Sequence, residues 1–247
     1  ENLKILLGGL NKLKKVKNII DKLWIDKPKE KTNKIFKLSD KYCGETYSSK
    51  LSRLNNQKNK AKADYIIFTL PESISWLANI RGFDIPNTPI VKSYAIQGKK
   101  STLKIFIRME KLSETIIKSF GSKVKFFEIT SFSKKLKELK GKIWLDENSC
   151  PSAIKDLISS RKTKILNSAD PILSIKSIKN KVEIRNNRIA HRKDGLAMIN
   201  LIYWIEKNKR RKISEIEIIE SLSELRKKAT NYFGPSFDTI CGSGPNG

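Results

Sequence analysis

The sequence predicts an α/β layer fold, and two observations support this prediction. Between residues 65 and 146, runs rich in β-branched and aromatic residues alternate with helical segments, which is the pattern of folds whose helices cover a central sheet. After residue 170, long segments carry apolar residues at helical spacing. A chain of 247 residues that is 38% hydrophobic can bury the core of one or two domains.

The predicted elements follow from periodicity, turn residues and caps. The first part of the chain reads as a helix over 1–25, the beginning of a helix over 47–59, a strand over 65–70, a helix over 74–80, and two strands over 90–96 and 103–107 joined as a hairpin. Next come a helix over 110–120, a strand over 124–129, a helix over 132–139, a strand over 142–146 and a helix over 149–160. A long helix over 178–207 follows. A last helix begins at Ser214, where Ser214 and Glu217 form a capping box, and runs to Lys228.

Two boundaries divide the chain into three units. Residues 26–38 combine charge and proline with little apolar content, which is typical of a linker. Asp170 followed by Pro171 marks the second boundary. We therefore expect units over 1–38, 39–170 and 171–247.

The strong positive charge has two interpretations. The net charge is +26, and such an excess can indicate a nucleic-acid-binding protein. However, the cations are mostly lysine and spread along the whole chain, whereas arginine is the better bidentate reader of phosphates and bases. Isoleucine and asparagine are also abundant, which favours the codon composition of an A/T-rich genome. Nucleic-acid binding remains the weaker interpretation.

The side chains that could carry chemistry are few. His191 is the only histidine and lies in a predicted helix without a second ligand at metal spacing. We therefore expect it to be structural. Cys43, Cys150 and Cys241 are scattered, which predicts reduced thiols in a cytoplasmic protein. The sequence contains no phosphate-binding glycine loop and no serine in a nucleophile-elbow motif, and no run of about 18 apolar residues that could cross a membrane.

The last six residues have the composition of a turn. Gly-Ser-Gly-Pro-Asn-Gly over 242–247 combines glycine, proline and asparagine, each of which favours a turn conformation. A turn normally leads into a further element. We therefore expect the chain to be a fragment of a longer protein.

Several motifs together resemble one family, the Xaa-Pro aminopeptidases (aminopeptidase P). Trp24 followed by Asp26 and Pro28 resembles its linker motif, and Trp-Leu-Ala-Asn-Ile-Arg-Gly over 76–82, followed by Asp84 and Ile85, is similar to a block of its second domain. The stretches over 178–195 and 203–206 resemble the start of its catalytic domain. The stretch over 236–247 resembles the segment that precedes its first catalytic histidine.

This resemblance implies a particular fold and activity. The expected parent is a three-domain peptidase, of which this chain holds the tail of the first creatinase-like domain, the second creatinase-like α/β domain with a mixed sheet, and the opening helices of a pita-bread domain. The family removes an N-terminal residue that precedes proline. It uses two divalent metal ions, usually manganese, held by two Asp, one His and two Glu that would lie beyond Gly247. The resemblance also implies a homodimer.

The same resemblance assigns two candidate substrate contacts. Phe237 and Ile240 match the segment that lines the pocket for the first side chain of the substrate. Plain core packing is the alternative for both. Arg81 is either structural or at a contact between subunits. Two other functions stay open for the chain as a whole: a catalytically inactive creatinase-like module that binds partners, and a basic nucleic-acid-binding protein.

Overall fold

A six-stranded mixed sheet is the centre of the fold. We describe a computed structural model that covers Leu6, Gly8, Val16 and residues 18–28, 32–159 and 162–247. Its strands are β1 (Phe36–Lys37), β2 (Tyr65–Phe68), β3 (Ile80–Arg81), β4 (Tyr94–Gln97), β5 (Leu103–Ile107), β6 (Val124–Glu128), β7 (Gly141–Leu145) and β8 (Thr163–Asn167). The large sheet has the order β6-β5-β4-β2-β7-β8, and β1 and β3 form a separate pair.

Ten α-helices have both of their ends within the described ranges. They are α1 (Ile20–Leu23), α2 (Asp40–Cys43), α3 (Tyr47–Lys60), α4 (Pro71–Leu77), α5 (Glu114–Lys118), α6 (Phe132–Lys137), α7 (Ser152–Ile158), α8 (Pro171–Ser177), α9 (Lys181–Asn208) and α10 (Glu215–Lys227). None of these helices combines the length and the hydropathy that a bilayer span requires.

The strand pairing explains why the sheet is mixed. β2 pairs antiparallel with β4, and β4 pairs antiparallel with β5. Outside this central group, β7 is parallel to β2, β6 to β5, and β8 to β7. The predicted hairpin between the fourth and fifth strands is therefore confirmed, with a 3₁₀ turn over Lys99–Ser101 between them.

Each face of the sheet carries its own apolar cluster. Leu54, Ile74, Ile105 and Phe120 belong to the cluster on one face, which includes residues of α3, α4 and α8. Ile96 and Phe106 lie in the other cluster, with residues of α6 and α7. This alternation along β4 and β5 is the period-2 pattern of strands that are covered on both faces.

A long helical hairpin follows the α/β unit. The Asn180 side chain caps α9 by accepting hydrogen bonds from the amides of Val182 and Glu183, and the Glu183 carboxylate accepts from the Asn180 amide. This capping box explains why α9 begins at Lys181, three residues later than predicted. The predicted box at the start of α10 is also present. Arg226 binds both carboxylate oxygens of Asp194, at 2.6 and 3.3 Å, and so links the two helices.

The structure adds to, shortens or redefines several of the predicted elements. Asp170 and Pro171, at the predicted boundary between units, are the N-cap and first residue of α8, which are favoured positions for these residue types. The strand β8 was not predicted, because it has few apolar residues and lies at the edge of the sheet. The helix predicted over 110–120 is shortened to α5. Of the helix predicted over 1–25, the described residues confirm α1, whereas Val16, Asn18 and Trp24 are not helical, and Leu10 and Leu13 lie outside the described residues.

Candidate functional site

Phe237 and Ile240 lie in the coil that follows α10. Their side chains are 67% and 88% exposed. Neither belongs to an apolar cluster of the described residues. Within the described chain, both side chains are therefore available to contact another molecule or segment.

Although this coil has little regular structure, side chains of other elements contact it at several points. Thr230 accepts two hydrogen bonds from the Lys193 ammonium of α9. Phe233 stacks on Phe83 at 5.2 Å between ring centroids. Asp238 accepts a hydrogen bond of 2.9 Å from the Asn87 amide group. The coil thus contacts both the long helix and the α/β unit.

The predicted turn near the end of the chain is present. Residues Gly244–Asn246 form a 3₁₀ turn, and a Cβ at Gly242 would lie 2.6 Å from the carbonyl oxygen of Asn246. Glu215 at the start of α10 accepts hydrogen bonds from the Ser243 amide and the Asn246 side chain. The close packing at Gly242 explains why a residue without a side chain is required there.

The block that contains Trp76 and Arg81 is an organised polar centre. The Lys50 ammonium is buried and donates to the Trp76 carbonyl at 2.9 Å and to Asn79 Oδ1 at 2.6 Å. It lies 3.9 Å from the Trp76 ring centroid, within cation–π distance. Asn79 has a positive φ of 53°, and its Nδ2 donates a hydrogen bond to the Glu45 carbonyl.

Burial controls the electrostatics of this centre. Burial lowers the pKa of the Lys50 ammonium to about 8, although Cys43, Glu183 and Glu45 oppose the shift. Burial also lowers the pKa of the Arg81 guanidinium. Arg81 donates two hydrogen bonds to backbone carbonyls, those of Ser75 and Ile80. The structure therefore gives Arg81 a structural role within the described chain.

The same block holds a buried ion pair. Lys111 and Asp84 lie 2.7 Å apart, and each side chain is 1% exposed. The second carboxylate oxygen of Asp84 accepts from the Lys92 amide. A buried charge without a partner is costly. The loop that carries Asp84 is therefore held in the conformation in which the pair is formed. Asp84 thereby anchors the loop that carries Phe83 and Asn87.

The long helix α9 docks on this polar centre. Trp76 Nε1 donates to Glu183 Oε1 at 3.3 Å, and Asn180 Nδ2 donates to the Cys43 carbonyl at 2.8 Å. Gly44 makes the approach possible, because a Cβ there would lie 2.4 Å from Asn180 Oδ1. Sequence reasoning missed these contacts, although Gly44 next to a short helix is a detectable signal for a left-handed cap.

The remaining candidate side chains do not gather into a site. His191 is exposed in the middle of α9. Cys43, Cys150 and Cys241 are free thiols, and burial raises the pKa of the Cys150 thiol to about 11, which keeps it protonated at neutral pH. Among the residues that the structure describes, no group of three His, Cys, Asp or Glu side chains could hold a metal ion. The described residues therefore do not fit a metal centre of their own.

Similarity to known proteins covers nearly the whole chain. The chain is 31% identical over 260 residues to a probable Xaa-Pro aminopeptidase P of Tuber melanosporum, which covers 97% of this chain and 42% of that protein. It is 30% identical over 250 residues to the corresponding protein of Leptosphaeria maculans, covering 93% of this chain and 40% of that protein. The chain thus spans about two fifths of the length of these relatives.

A solved structure has a fold similar to that of this chain. The X-prolyl aminopeptidase of Caenorhabditis elegans, described as a cytosolic enzyme with a di-nuclear active site, matches with a TM-score of 0.83 and 27% identity over 91% of this chain and 38% of that one. Residues 26–183 match the family model described as the creatinase/prolidase N-terminal domain. With its mixed sheet and flanking helices, the chain belongs to the creatinase/prolidase N-terminal domain family.

Proposed function

We propose that this chain is part of an aminopeptidase that removes the N-terminal residue from peptides with proline in second position. The main support is similarity to proteins of that name over 97% of the chain, together with the fold match to the X-prolyl aminopeptidase of C. elegans. Similarity on both sides of the α/β unit favours a whole peptidase of this class over an isolated module.

The proposal assigns this chain a supporting and substrate-binding part of the enzyme. Phe237 and Ile240 contact the first side chain of the substrate, since both are exposed and available for an apolar ligand. The polar centre around Lys50 and Trp76 holds α9 on the α/β unit, which fixes the start of the coil that carries them.

The metal ions belong to the part of such a protein that this chain does not contain. Two divalent ions, manganese in our proposal, would activate a hydroxide for attack on the substrate carbonyl. The support is the di-nuclear site described for the C. elegans relative.

Three further features complete the proposal. The units are the tail of a first domain with its linker over 1–38, an α/β domain over 39–170, and the start of a catalytic domain over 171–247. The enzyme acts in the cytoplasm, as the C. elegans relative does. It forms a homodimer, which sedimentation of the full-length protein would test.

A peptidase assay of the full-length protein tests the activity. We expect manganese-dependent release of the first residue from an Ala-Pro peptide, loss of activity with a chelator, and little release from a matched Ala-Ala peptide. The 247-residue chain alone should neither bind manganese tightly nor release a residue. A folded full-length protein that fails to cleave would support the inactive partner-binding module, and binding to DNA that weakens steeply with salt would support the nucleic-acid alternative.

A further inference from the structure

The loop over 83–87 of the α/β unit reaches the coil that carries Phe237 and Ile240. Phe83 and Phe233 stack with their planes 15° apart, and Phe36 packs against both rings. Four residues after Phe83, Asn87 binds Asp238, the residue next to Phe237. The coil is therefore held on both sides of Phe237 by the same side of the α/β unit.

The loop itself is well suited to hold another segment. Asp84 is locked by its buried pair with Lys111. Asn33 donates to the Phe83 carbonyl at 2.8 Å. Asn87 has a φ of 59° in a turn closed by the Ile85 carbonyl and the Thr88 amide, and asparagine tolerates this left-handed conformation. The backbone that presents Phe83 and Asn87 is thus fixed independently of the coil.

The coil is ordered by contacts with other parts of the chain. Apart from its ends, it has no helix or strand, and backbone order in such a segment comes from the groups that bind it. One exposed side-chain hydrogen bond stabilises little by itself. Two contacts at Phe233 and Asp238, with Phe237 between them, restrict the segment far more than either one.

We propose that Phe83 and Asn87 are positioning residues, which hold the coil so that Phe237 lies where the first side chain of the substrate binds. This inference rests on the proposed aminopeptidase function. Neither residue touches the substrate. They act through Phe233 and Asp238, and so the α/β unit contributes to selectivity for the first residue without lining its pocket.

Backbone ¹⁵N relaxation of the 247-residue chain tests the holding of the coil without any activity. Glycine at position 87 keeps the left-handed turn but removes the amide group. In the double variant Phe83→Ser with Asn87→Gly, we expect the order parameters of residues 236–241 to fall from about 0.85 to below about 0.6. Each single variant should lower them by a smaller amount. Asn56→Asp, at an exposed position of α3, is the control and should leave them unchanged.

Exchanging the donor and the acceptor of the bond between Asn87 and Asp238 distinguishes loss of this contact from a general destabilisation of the loop. Asn87→Asp alone places two carboxylates opposite each other and should loosen the coil. Combining it with Asp238→Asn restores a hydrogen bond in the opposite sense, and the order parameters should recover. Unchanged order parameters in all single variants, or no recovery in the exchanged pair, would overturn the proposal.

Kinetics of the full-length enzyme test the consequence for substrate. If the positioned state falls to about a tenth of the population, KM for a Phe-Pro peptide should rise about tenfold with kcat nearly unchanged, and KM for an Ala-Pro peptide should change much less. Disorder of the coil with equal effects on both peptides would refute the positioning role. A wild-type protein without peptidase activity would instead refute the proposed function, while the relaxation data still decide whether the loop holds the coil.

Discussion

Trp76 and Glu183 are joined by a hydrogen bond of 3.3 Å between the indole Nε1 and the carboxylate Oε1. The same carboxylate caps α9 through the Asn180 amide. The Glu183 side chain thus caps the N-terminus of α9 and also binds the α/β unit. The capped N-terminus of α9 is therefore also the end of the helix that contacts the polar centre.

A double-mutant cycle measures the strength of this link. Trp76→Phe keeps a ring beside Lys50 but removes the donor, and Glu183→Ala removes the acceptor. We expect a coupling free energy of about 1.5–3 kcal/mol from urea unfolding, because the cycle isolates a single hydrogen bond to a charged group. Glu217 caps α10 in the same way without facing Trp76. Trp76→Phe combined with Glu217→Ala should therefore be additive, and equal coupling in both cycles would contradict the link.

Gly44 gives a second test of how α9 is docked. Gly44→Ala places an alanine at a φ of 68°, which is strained for a residue with a Cβ, and also forces that Cβ against Asn180 and Val182. We expect it to destabilise the chain by about 2–4 kcal/mol, the sum of a left-handed alanine and an overpacked contact. Gly121 has a φ of 61° and open space around it, so Gly121→Ala should cost only about 1 kcal/mol. Similar losses in the two variants would mean that the contact with α9 is loose.

The buried Lys50 predicts a specific dependence of stability on pH. Its pKa is about 8 in the folded chain and about 10.4 when unfolded. Between these values the unfolded chain binds more protons, so this residue makes stability rise as the pH increases from about 8 to about 10. Below pH 8 the cost of burying the charge is present in full.

Unfolding of Lys50→Met beside the wild type isolates this effect. The difference in unfolding free energy should move in favour of the wild type by up to about 1.4 kcal/mol per pH unit across this window. Lys118→Met, at an exposed position of α5, should show no such trend. Parallel pH profiles for the wild type and Lys50→Met would show that Lys50 titrates normally.

The sequence predicted the sheet and the long helices better than the contacts between them. Strong β-rich runs and capping boxes are local signals, and the strands, the hairpin and the box at Ser214 are found in the structure. Asp170 and Pro171 mark the boundary predicted between two units, and in the structure they also begin α8. The packing of Ile172 and Ile175 into the main core is not visible in the local sequence.

The polar centre could not be predicted, for a physical reason. Lys50 and Glu183 are separated by 133 positions, and nothing in their local sequence distinguishes a buried lysine from the many solvated ones. The link from Asn87 to Asp238 likewise depends on how the coil returns to the α/β unit. Such pairs are set by tertiary packing, which local pattern does not encode.

Separate pieces of the chain should differ in their ability to fold. A piece over 39–178 contains the sheet and the helices of both main clusters and should unfold cooperatively. A piece over 39–170 lacks the buried Ile172 and Ile175 and should be less stable by about 3 kcal/mol. The piece over 171–247 buries few side chains and exposes apolar helix faces, so it should aggregate or melt broadly. A sharp cooperative melt of this last piece would contradict the expectation.

The role of Phe237 can be decided in the full-length protein. If its ring lines the pocket for the first residue, Phe237→Ala should reduce kcat/KM for a Phe-Pro peptide by roughly 10- to 200-fold, the range for a lost apolar contact of about 1–3 kcal/mol. An Ala-Pro peptide should lose much less, because its methyl group barely reaches the ring. If Phe237 instead packs in a core of the full-length protein, both peptides should lose activity by a similar factor and the melting temperature should fall. Equal losses would remove Phe237 from the substrate site, whereas a selective loss at an unchanged melting temperature would place it there.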